Sequence, residues 1–175
     1  MIDQQQFRDL MAGVCSPVTV VTTAAADGTP HGATVSSFAS LSLDPPLVSV
    51  AFARDSRLLG RIQSAGRFGV NILGQDQDDL AVRFARRAGD RFAVTPWFAE
   101  DGLPRLADAP GWMTCDLHQT VQAGDHLLLF GQVRSASTRP GLPPLVYAHR
   151  TFGTHSRFAH RPRPAIADLI AACAR

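Results

Sequence analysis

The chain of 175 residues contains no lysine, and all of its 17 basic residues are arginine. The absence of lysine excludes Schiff-base chemistry and a phosphate-binding loop built around a lysine. Any anion that this protein binds must therefore be held by arginine, by backbone N–H groups or by hydroxyls. The net charge of +2 is small and does not indicate a nucleic-acid partner.

Cysteine is scarce and long apolar runs are missing. Cys15, Cys115 and Cys173 lie far apart, so no pair has the spacing of a metal site or of a CxxC redox motif, and we expect core or idle thiols. No apolar run approaches the roughly 20 residues that a membrane-spanning helix needs, and the first residues do not resemble a secretory signal. We therefore expect a cytoplasmic protein that makes no membrane contact.

Several common catalytic motifs are missing as well. The six histidines have no HExxH or HxH spacing, so no metal site is expected. The sequence has no GxSxG nucleophile elbow and no strand–GxGxxG–helix unit. If the protein uses a dinucleotide, it does not hold it in a Rossmann crevice.

What the sequence does have is a stretch with little side-chain bulk, GATVSSFASLSLDPP, over Gly32–Pro46. Its small and hydroxyl-bearing residues predict a strand against whose backbone a flat ligand can lie. Asp44-Pro45-Pro46 should end that strand, because proline has no N–H and restricts the residue before it. A serine-rich exposed edge strand without a ligand is the alternative.

The rest of the pattern consists mainly of hairpins. Strands are predicted at 18–24, 47–53, 68–73, 112–121, 126–135 and 145–149, and helices at 3–13, 57–64 and 77–87. The first helix should be amphipathic, with Asp3 as its cap and an apolar face formed by Phe7, Leu10, Met11 and Val14. The second should turn Leu58, Leu59 and Ile62 inward. The segment 93–111, rich in proline and glycine, is predicted as a long loop. We expect a mainly β, antiparallel barrel with peripheral helices over 1–155. A Pro-rich joint and a C-terminal helical tail should follow over 156–175.

The start of the helix predicted at 57–64 is a candidate anion site. Ser56 can cap the helix, and Arg54 and Arg57 flank it, so that a hydroxyl, two guanidinium groups and the helix dipole come together. Plain capping with solvated arginines is the alternative reading.

His126 is the second candidate, at the start of a strand that follows a tight turn. Asp125 could fix the orientation of its ring, which could then hydrogen-bond a ligand at the barrel mouth. A turn histidine is also often only a surface residue. Arg150 with Tyr147 is a third candidate, either as a charge for a ligand or as an arginine that covers aromatic side chains.

Six segments in this order resemble the flavin reductase family, whose fold is the FMN-binding split barrel. They are FRDLMAGVCSPVTVVTT, DGTPHGATVSSFASLSLDPPLVSVAF, SAGRFGVNIL, LAVRFA, AGDHLLLFGQV and PLVYAHRTFG. Each is weak alone, but their common order over about Phe7–Gly153 makes a chance match improbable. The resemblance implies a homodimer that uses NADH or NADPH to reduce FMN or FAD and supplies the reduced flavin to a partner monooxygenase.

The resemblance also implies roles for particular residues. Flavin contacts are implied at Thr34, Val35, Ser36, Ser37, Ala53, Arg54, Ser56, Arg83, Phe84, Arg91 and Phe92. Nicotinamide contacts are implied at Asp125, His126, Tyr147 and Arg150, with His126 as the catalytic residue. Arg57 and Leu58 stand where many members of the family have threonine or lysine.

Three other functions remain open at this point. The same barrel could keep its flavin and reduce a dedicated acceptor, or bind flavin without catalysis. It could also be an interaction domain without any cofactor.

Overall fold

The computed structural model describes residues 2–86 and 89–155. The helices are α1 (Gln4–Ala12), α2 (Arg57–Ala65) and α3 (Asp78–Ala85). The strands are β1 (Ser16–Pro17), β2 (Thr19–Ala24), β3 (Pro30–Val35), β4 (Ala39–Leu43), β5 (Pro46–Ala53), β6 (Arg67–Ile72), β7 (Trp97–Glu100), β8 (Leu103–Leu106), β9 (Gly111–Ala123), β10 (His126–Thr138), β11 (Val146–Ala148) and β12 (Thr151–Gly153). The predicted tail over 156–175 lies outside the described residues, and the domain boundary stays a prediction.

The main sheet has seven antiparallel strands in the order β3-β2-β6-β9-β10-β5-β4. A flat sheet of this size would separate its outer strands by about 29 Å. The outer strands β3 and β4 are nevertheless joined by residues 36–38, which can span only about 14 Å between Val35 and Ala39. The sheet must therefore curl, and the predicted antiparallel barrel is confirmed.

The small-residue stretch Gly32–Pro46 forms two strands, so the prediction of one strand is wrong. The chain leaves β3 at Ser36 and re-enters the sheet at Ala39, because β3 pairs with β2 whereas β4 pairs with β5. Strand propensity is the same on both sides of this bend, and only the pairing partners separate the two strands. The predicted stop is confirmed, since Asp44 and Pro45 form the turn between β4 and β5, and Pro46 is the first residue of β5.

The prediction of a long loop over 93–111 is also wrong. β7 and β8 form a two-stranded hairpin in which Ala99 is opposite Pro104, and the turn at Asp101-Gly102 has positive φ at both residues. A proline is tolerated in β8 because this strand lies at the edge of a two-stranded sheet.

Two apolar clusters hold the barrel and its helices together. The first fills the barrel, where Ile62 on α2 packs with Phe68 and Leu129 of the sheet. The second lies beneath α3, where Phe84 packs with Leu73 and Phe92. The burial of Leu58, Leu59 and Ile62 confirms the predicted inner face of α2.

Helix α1 is capped as predicted but is not buried. Asp3 and Gln6 form a capping box at its first turn. The predicted apolar face is exposed in a single chain, with Phe7 53% and Leu10 66% exposed. Asp9 bonds to Arg150 and thereby ties α1 to the turn between β11 and β12.

None of the helices within the described ranges is long and apolar enough to cross a bilayer. The cytoplasmic location stays a prediction.

A glycine substitution tests the packing of the barrel. A Cβ at Gly69 on β6 would lie 2.2 Å from Cη2 of Trp112 and 2.8 Å from Oγ1 of Thr22. We expect Gly69→Ala to lower the free energy of unfolding by about 1–3 kcal/mol because the core is overpacked. The matched control is Gly60→Ala on α2, where the new methyl group meets nothing within 4 Å.

The control should raise the free energy of unfolding by about 0.5–1 kcal/mol, because alanine favours the helix. Urea unfolding followed by circular dichroism measures both values. Equal stabilities for Gly69→Ala and the unchanged protein would contradict the packing described above.

Candidate functional site

A cavity of about 1680 Å³ opens between the bend after β3, the start of α2 and the end of α3. One wall is the small-residue strand, with Gly32, Ala33, Thr34, Val35, Ser36 and Ser37 lining the cavity. The cavity is large enough for two flat ring systems with their phosphates, since binding pockets for drug-sized ligands measure about 300–1,000 Å³.

The hydroxyls of this wall are partly used by the fold itself. The Thr34 hydroxyl donates to the carbonyl of Ala81 on α3 at 2.6 Å. The Ser37 hydroxyl accepts from the Ala51 N–H at 2.9 Å and donates to the Ala51 carbonyl at 3.0 Å. Ser36 is exposed at the bend. The wall therefore offers its backbone and Ser36 to a ligand, while the other two hydroxyls hold the wall in place.

The start of α2 borders the same cavity. Ser56 caps the helix through its hydroxyl, which accepts from the Leu59 N–H, and its own N–H donates to the Ala53 carbonyl at 2.9 Å. Arg57 and Arg61 are one helical turn apart and both line the cavity. Arg61, which the sequence did not single out, therefore joins Arg57 beside the predicted anion site.

The charge of the cavity lining is mainly positive. The lining contains five arginines, Arg8, Arg57, Arg61, Arg86 and Arg91, against two aspartates, Asp55 and Asp90. Within the described ranges, none of these arginines lies at ion-pairing distance from a carboxylate. Such a lining favours an anionic ligand, because guanidinium groups bind phosphate through two parallel hydrogen bonds.

His31 also lines the cavity, beside Arg61, a role that the sequence did not indicate. Nη1 of Arg61 contacts Nε2 of His31. Burial lowers the pKa of His31, the charge of Arg61 lowers it further, and Asp27 opposes the shift. The ring therefore stays neutral at a lower pH than an ordinary histidine and can accept a hydrogen bond from Arg61.

His126 lies at the edge of the cavity, at the first position of β10 and opposite Ala53 of β5. Its Nδ1 is 2.7 Å from Oδ1 of Asp125, and its side chain is 46% exposed. The hydrogen bond and the charge of His126 lower the pKa of Asp125, so this carboxylate stays ionised. Because Nδ1 is engaged, Nε2 is the nitrogen that can meet a ligand.

Arg54 does not line this cavity, although it neighbours Ser56. Its guanidinium donates to the Gly124 carbonyl, and its backbone N–H donates to the Asp125 carbonyl at 3.2 Å. These contacts direct Arg54 toward the turn between β9 and β10 and into a smaller adjoining crevice.

Three of the implied flavin contacts, Phe84, Arg91 and Phe92, are packed onto the small-residue wall. The rings of Phe84 and Phe92 meet edge to face at 5.0 Å, and a Cβ at Gly32 would lie only 3.0 Å from Phe84 and 3.2 Å from Phe92. Nη1 of Arg91 donates to the Gly32 carbonyl at 2.7 Å, and burial lowers the pKa of Arg91. Phe84, Arg91 and Phe92 all line the cavity.

Arg83 lies outside the cavity lining. Its Nη1 donates to Oγ1 of Thr95 at 3.0 Å and to the carbonyl of Val94 at 3.2 Å. This residue therefore ties α3 to the segment that leads into β7.

Tyr147 and Arg150 are not among the lining residues of the cavity in this chain. Tyr147 packs against Phe152 with ring centroids 5.2 Å apart. Arg150 pairs with Asp9 of α1 at 2.5 Å. Near Arg150, the cavity is lined instead by Phe7, Arg8 and Met11 of α1. The sequence predicted these residues only as part of a helix.

Residues 11–156 match the family described as "Flavin reductase like domain". The chain belongs to this family, as the sequence resemblance predicted. Among its relatives is the NADH:riboflavin 5'-phosphate oxidoreductase of Streptomyces pristinaespiralis, which is 44% identical over 156 residues, 87% of this chain and 89% of the relative.

The probable flavin reductase of Rhizobium meliloti (strain 1021) is 40% identical over 155 residues, which is 88% of this chain. The chain spans only about half of that relative, 50% of its length. Among solved structures, the styrene monooxygenase flavin reductase of Pseudomonas putida S12 aligns with a TM-score of 0.79 at 33% identity, covering 90% of this chain and 99% of that chain.

The lowered pKa of His31 leads to a prediction about how the stability of the protein depends on pH. Because the folded-state pKa lies below the ordinary value of 6.5, the unfolded chain takes up this proton first. The stability that the neutral ring contributes is therefore complete at higher pH and is lost as the pH falls below about 6.5 toward the folded-state pKa. We expect His31→Gln to lose less stability than the unchanged protein between about pH 7.5 and pH 5.5, measured by urea unfolding.

His118→Gln serves as the control, since His118 is exposed on β9. Its pH dependence should follow that of the unchanged protein. If His31→Gln also follows it, the proton uptake does not belong to His31.

Proposed function

We propose that the protein is an NAD(P)H-dependent flavin reductase that transfers a hydride from reduced nicotinamide to FMN or FAD. The observation that carries the proposal is the small-residue wall of β3, which faces a positively charged cavity with His126 at its edge. A bound flavin supplies the electron-accepting chemistry, which no side chain of this protein provides.

The residues present fit a flavin. The wall from Thr34 to Ser37 can receive the flat ring system, with backbone groups of the bend at its polar edge. The N-terminus of α2 with Ser56, Arg57 and Arg61 can hold the phosphate, since helix N-termini and guanidinium groups both favour anions. Ala53 contributes backbone at the junction between the two.

Reaction requires the two rings to be stacked with their reacting atoms about 3–3.5 Å apart, so the work of the protein is positioning and exclusion of water. His126 and Asp125 orient the nicotinamide at the cavity edge. Phe84, Arg91 and Phe92 shield the opposite end. Backbone N–H groups near Ser36 would face the polar edge of a bound ring and would be placed to stabilise negative charge there.

We also propose that two copies of the chain associate and that the reduced flavin leaves for a partner monooxygenase. The exposed apolar face of α1, which includes Phe7 and Leu10, supports an interface between copies. Tyr147 and Arg150 remain proposed nicotinamide contacts, which they would make across such an interface or after α1 moves. The name of the Pseudomonas putida relative supports the oxygenase partner.

His126→Ala tests the hydride-transfer site. We expect kcat/KM for NADH to fall about 10- to 100-fold, because the nicotinamide is no longer held in reacting geometry. The assay follows loss of nicotinamide absorbance with excess FMN. His118→Ala is the matched control and should retain the full rate, because this histidine lies on the exposed face of β9.

An unchanged kcat/KM in His126→Ala would remove this residue from the mechanism. Absence of NADH oxidation in the unchanged protein, with FMN still bound, would support a flavin carrier instead. Flavin that survives gel filtration and turns over only with an added acceptor would support a barrel enzyme with a dedicated substrate.

Arg57→Gln together with Arg61→Gln tests the phosphate site. Removing charged donors from a phosphate costs about 1.5–3 kcal/mol each. We therefore expect KM for FMN to rise at least about tenfold, with little change in KM for riboflavin, which lacks the phosphate. Arg139→Gln, which removes an exposed arginine paired with Asp108, is the control.

An equal loss for FMN and riboflavin would show that the two arginines act on the fold or on the ring system. The phosphate would then have to bind elsewhere in the cavity.

A further inference from the structure

Arg54 lies between the end of β5, the start of α2 and the turn between β9 and β10. It follows the last residue of β5 and precedes Ser56, the cap of α2. Across the sheet, β5 pairs with β10, and Ala53 lies opposite His126. Arg54 therefore lies one position after Ala53, at the proposed nicotinamide end of the cavity, and two positions before Ser56, at the proposed phosphate end.

The hydrogen bonds of Arg54 described above are both made at the proposed nicotinamide end. Its guanidinium donates to the Gly124 carbonyl and its backbone N–H donates to the Asp125 carbonyl at 3.2 Å. Gly124 and Asp125 form the two-residue turn between β9 and β10, and Gly124 has a φ of 59°. A single arginine thus holds both carbonyls of the turn that leads into His126.

Among the residues that the structure describes, no hydrogen bond joins the Arg54 side chain to the proposed phosphate end. Arg54 is absent from the lining of the large cavity, whereas Ser56, Arg57 and Arg61 are part of it. It lines the adjoining crevice instead, together with Gly124 and Asp125.

The position of the turn matters because it carries the Asp125 carboxylate. The Asp125 side chain is 95% exposed, yet its carboxylate is the group that bonds Nδ1 of His126. Movement of the turn would therefore move the carboxylate and release the ring. The pKa of Asp125 is lowered first by the hydrogen bond and charge of His126 and, less strongly, by the charge of Arg54, which keeps the carboxylate ionised.

We propose that Arg54 is a positioning residue: it clamps the Gly124–Asp125 turn to the end of β5 and so sets the orientation of the His126 ring toward nicotinamide, and it is not a ligand of the flavin phosphate. The nicotinamide part of this inference rests on the proposed function. The clamp itself rests on the hydrogen bonds alone.

A double-mutant cycle tests the clamp in catalysis. We expect Arg54→Gln to lower kcat/KM for NADH about tenfold in the otherwise unchanged protein but less than about twofold when His126→Ala is already present, because the arginine acts through the histidine. Arg54→Lys should restore part of the rate, since it keeps one charged donor. KM values for FMN and riboflavin should both stay within about twofold of the unchanged protein.

Arg57→Gln is the contrasting variant. It should raise KM for FMN more than KM for riboflavin. In a double-mutant cycle with His126→Ala, its effect on kcat/KM for NADH should be independent of His126. If Arg54→Gln instead raises KM for FMN and leaves riboflavin unchanged, Arg54 is a phosphate ligand and the proposal is overturned. The proposal would also be overturned if Arg54→Gln lowered kcat/KM for NADH by the same factor in the unchanged protein and in His126→Ala.

A spectroscopic measurement separates this inference from the proposed function. The Cε1–H resonance of His126, assigned by its loss in His126→Ala, should shift in Arg54→Gln. Arg57→Gln should leave this resonance unchanged. An unmoved resonance in Arg54→Gln overturns the clamp even in an active reductase, whereas a shifted resonance in a protein that does not oxidise NADH supports the clamp and rejects the reductase.

Discussion

Closure of the barrel at the bend between β3 and β4 is the constraint on which the site depends. The two outer strands of the sheet are only three residues apart along the chain, so the sheet has to curl. Ser37 completes this closure, because its hydroxyl bonds both the N–H and the carbonyl of Ala51 on β5. The curl brings the small-residue wall opposite the start of α2 and creates the cavity between them.

The shape of the cavity depends on small residues and its charge on arginines. Gly32 leaves room for the rings of Phe84 and Phe92 to pack closely against the strand. The arginines that line the cavity come from α1, from α2 and from the residues that follow α3, so their charges add around one cavity. In a chain without lysine, this lining can only be built from guanidinium groups, which prefer planar, bidentate anions such as phosphate.

Local features of the sequence predicted the elements, while non-local features were missed. Ser56 and the apolar triplet at 58, 59 and 62 were sufficient for α2, because capping and helical periodicity act within a few residues. The bend at Ser36 and the hairpin around Pro104 depend on which strand lies alongside, which no local pattern encodes. For the same reason His31 and α1 were not recognised as parts of the cavity, and Arg54 was assigned to the phosphate from its neighbours in sequence.

Arg54 belongs to a short segment, residues 53–56, that contacts both ends of the proposed site. Residues 53–56 leave β5, bond back to Ala53 through the Ser56 N–H, and then begin α2. The same four residues hold the β9–β10 turn through Arg54. The proposed phosphate end and the proposed nicotinamide end are therefore spaced by a short segment of backbone rather than by two independent loops, and a fixed spacing is what stacking two rings within reacting distance would require.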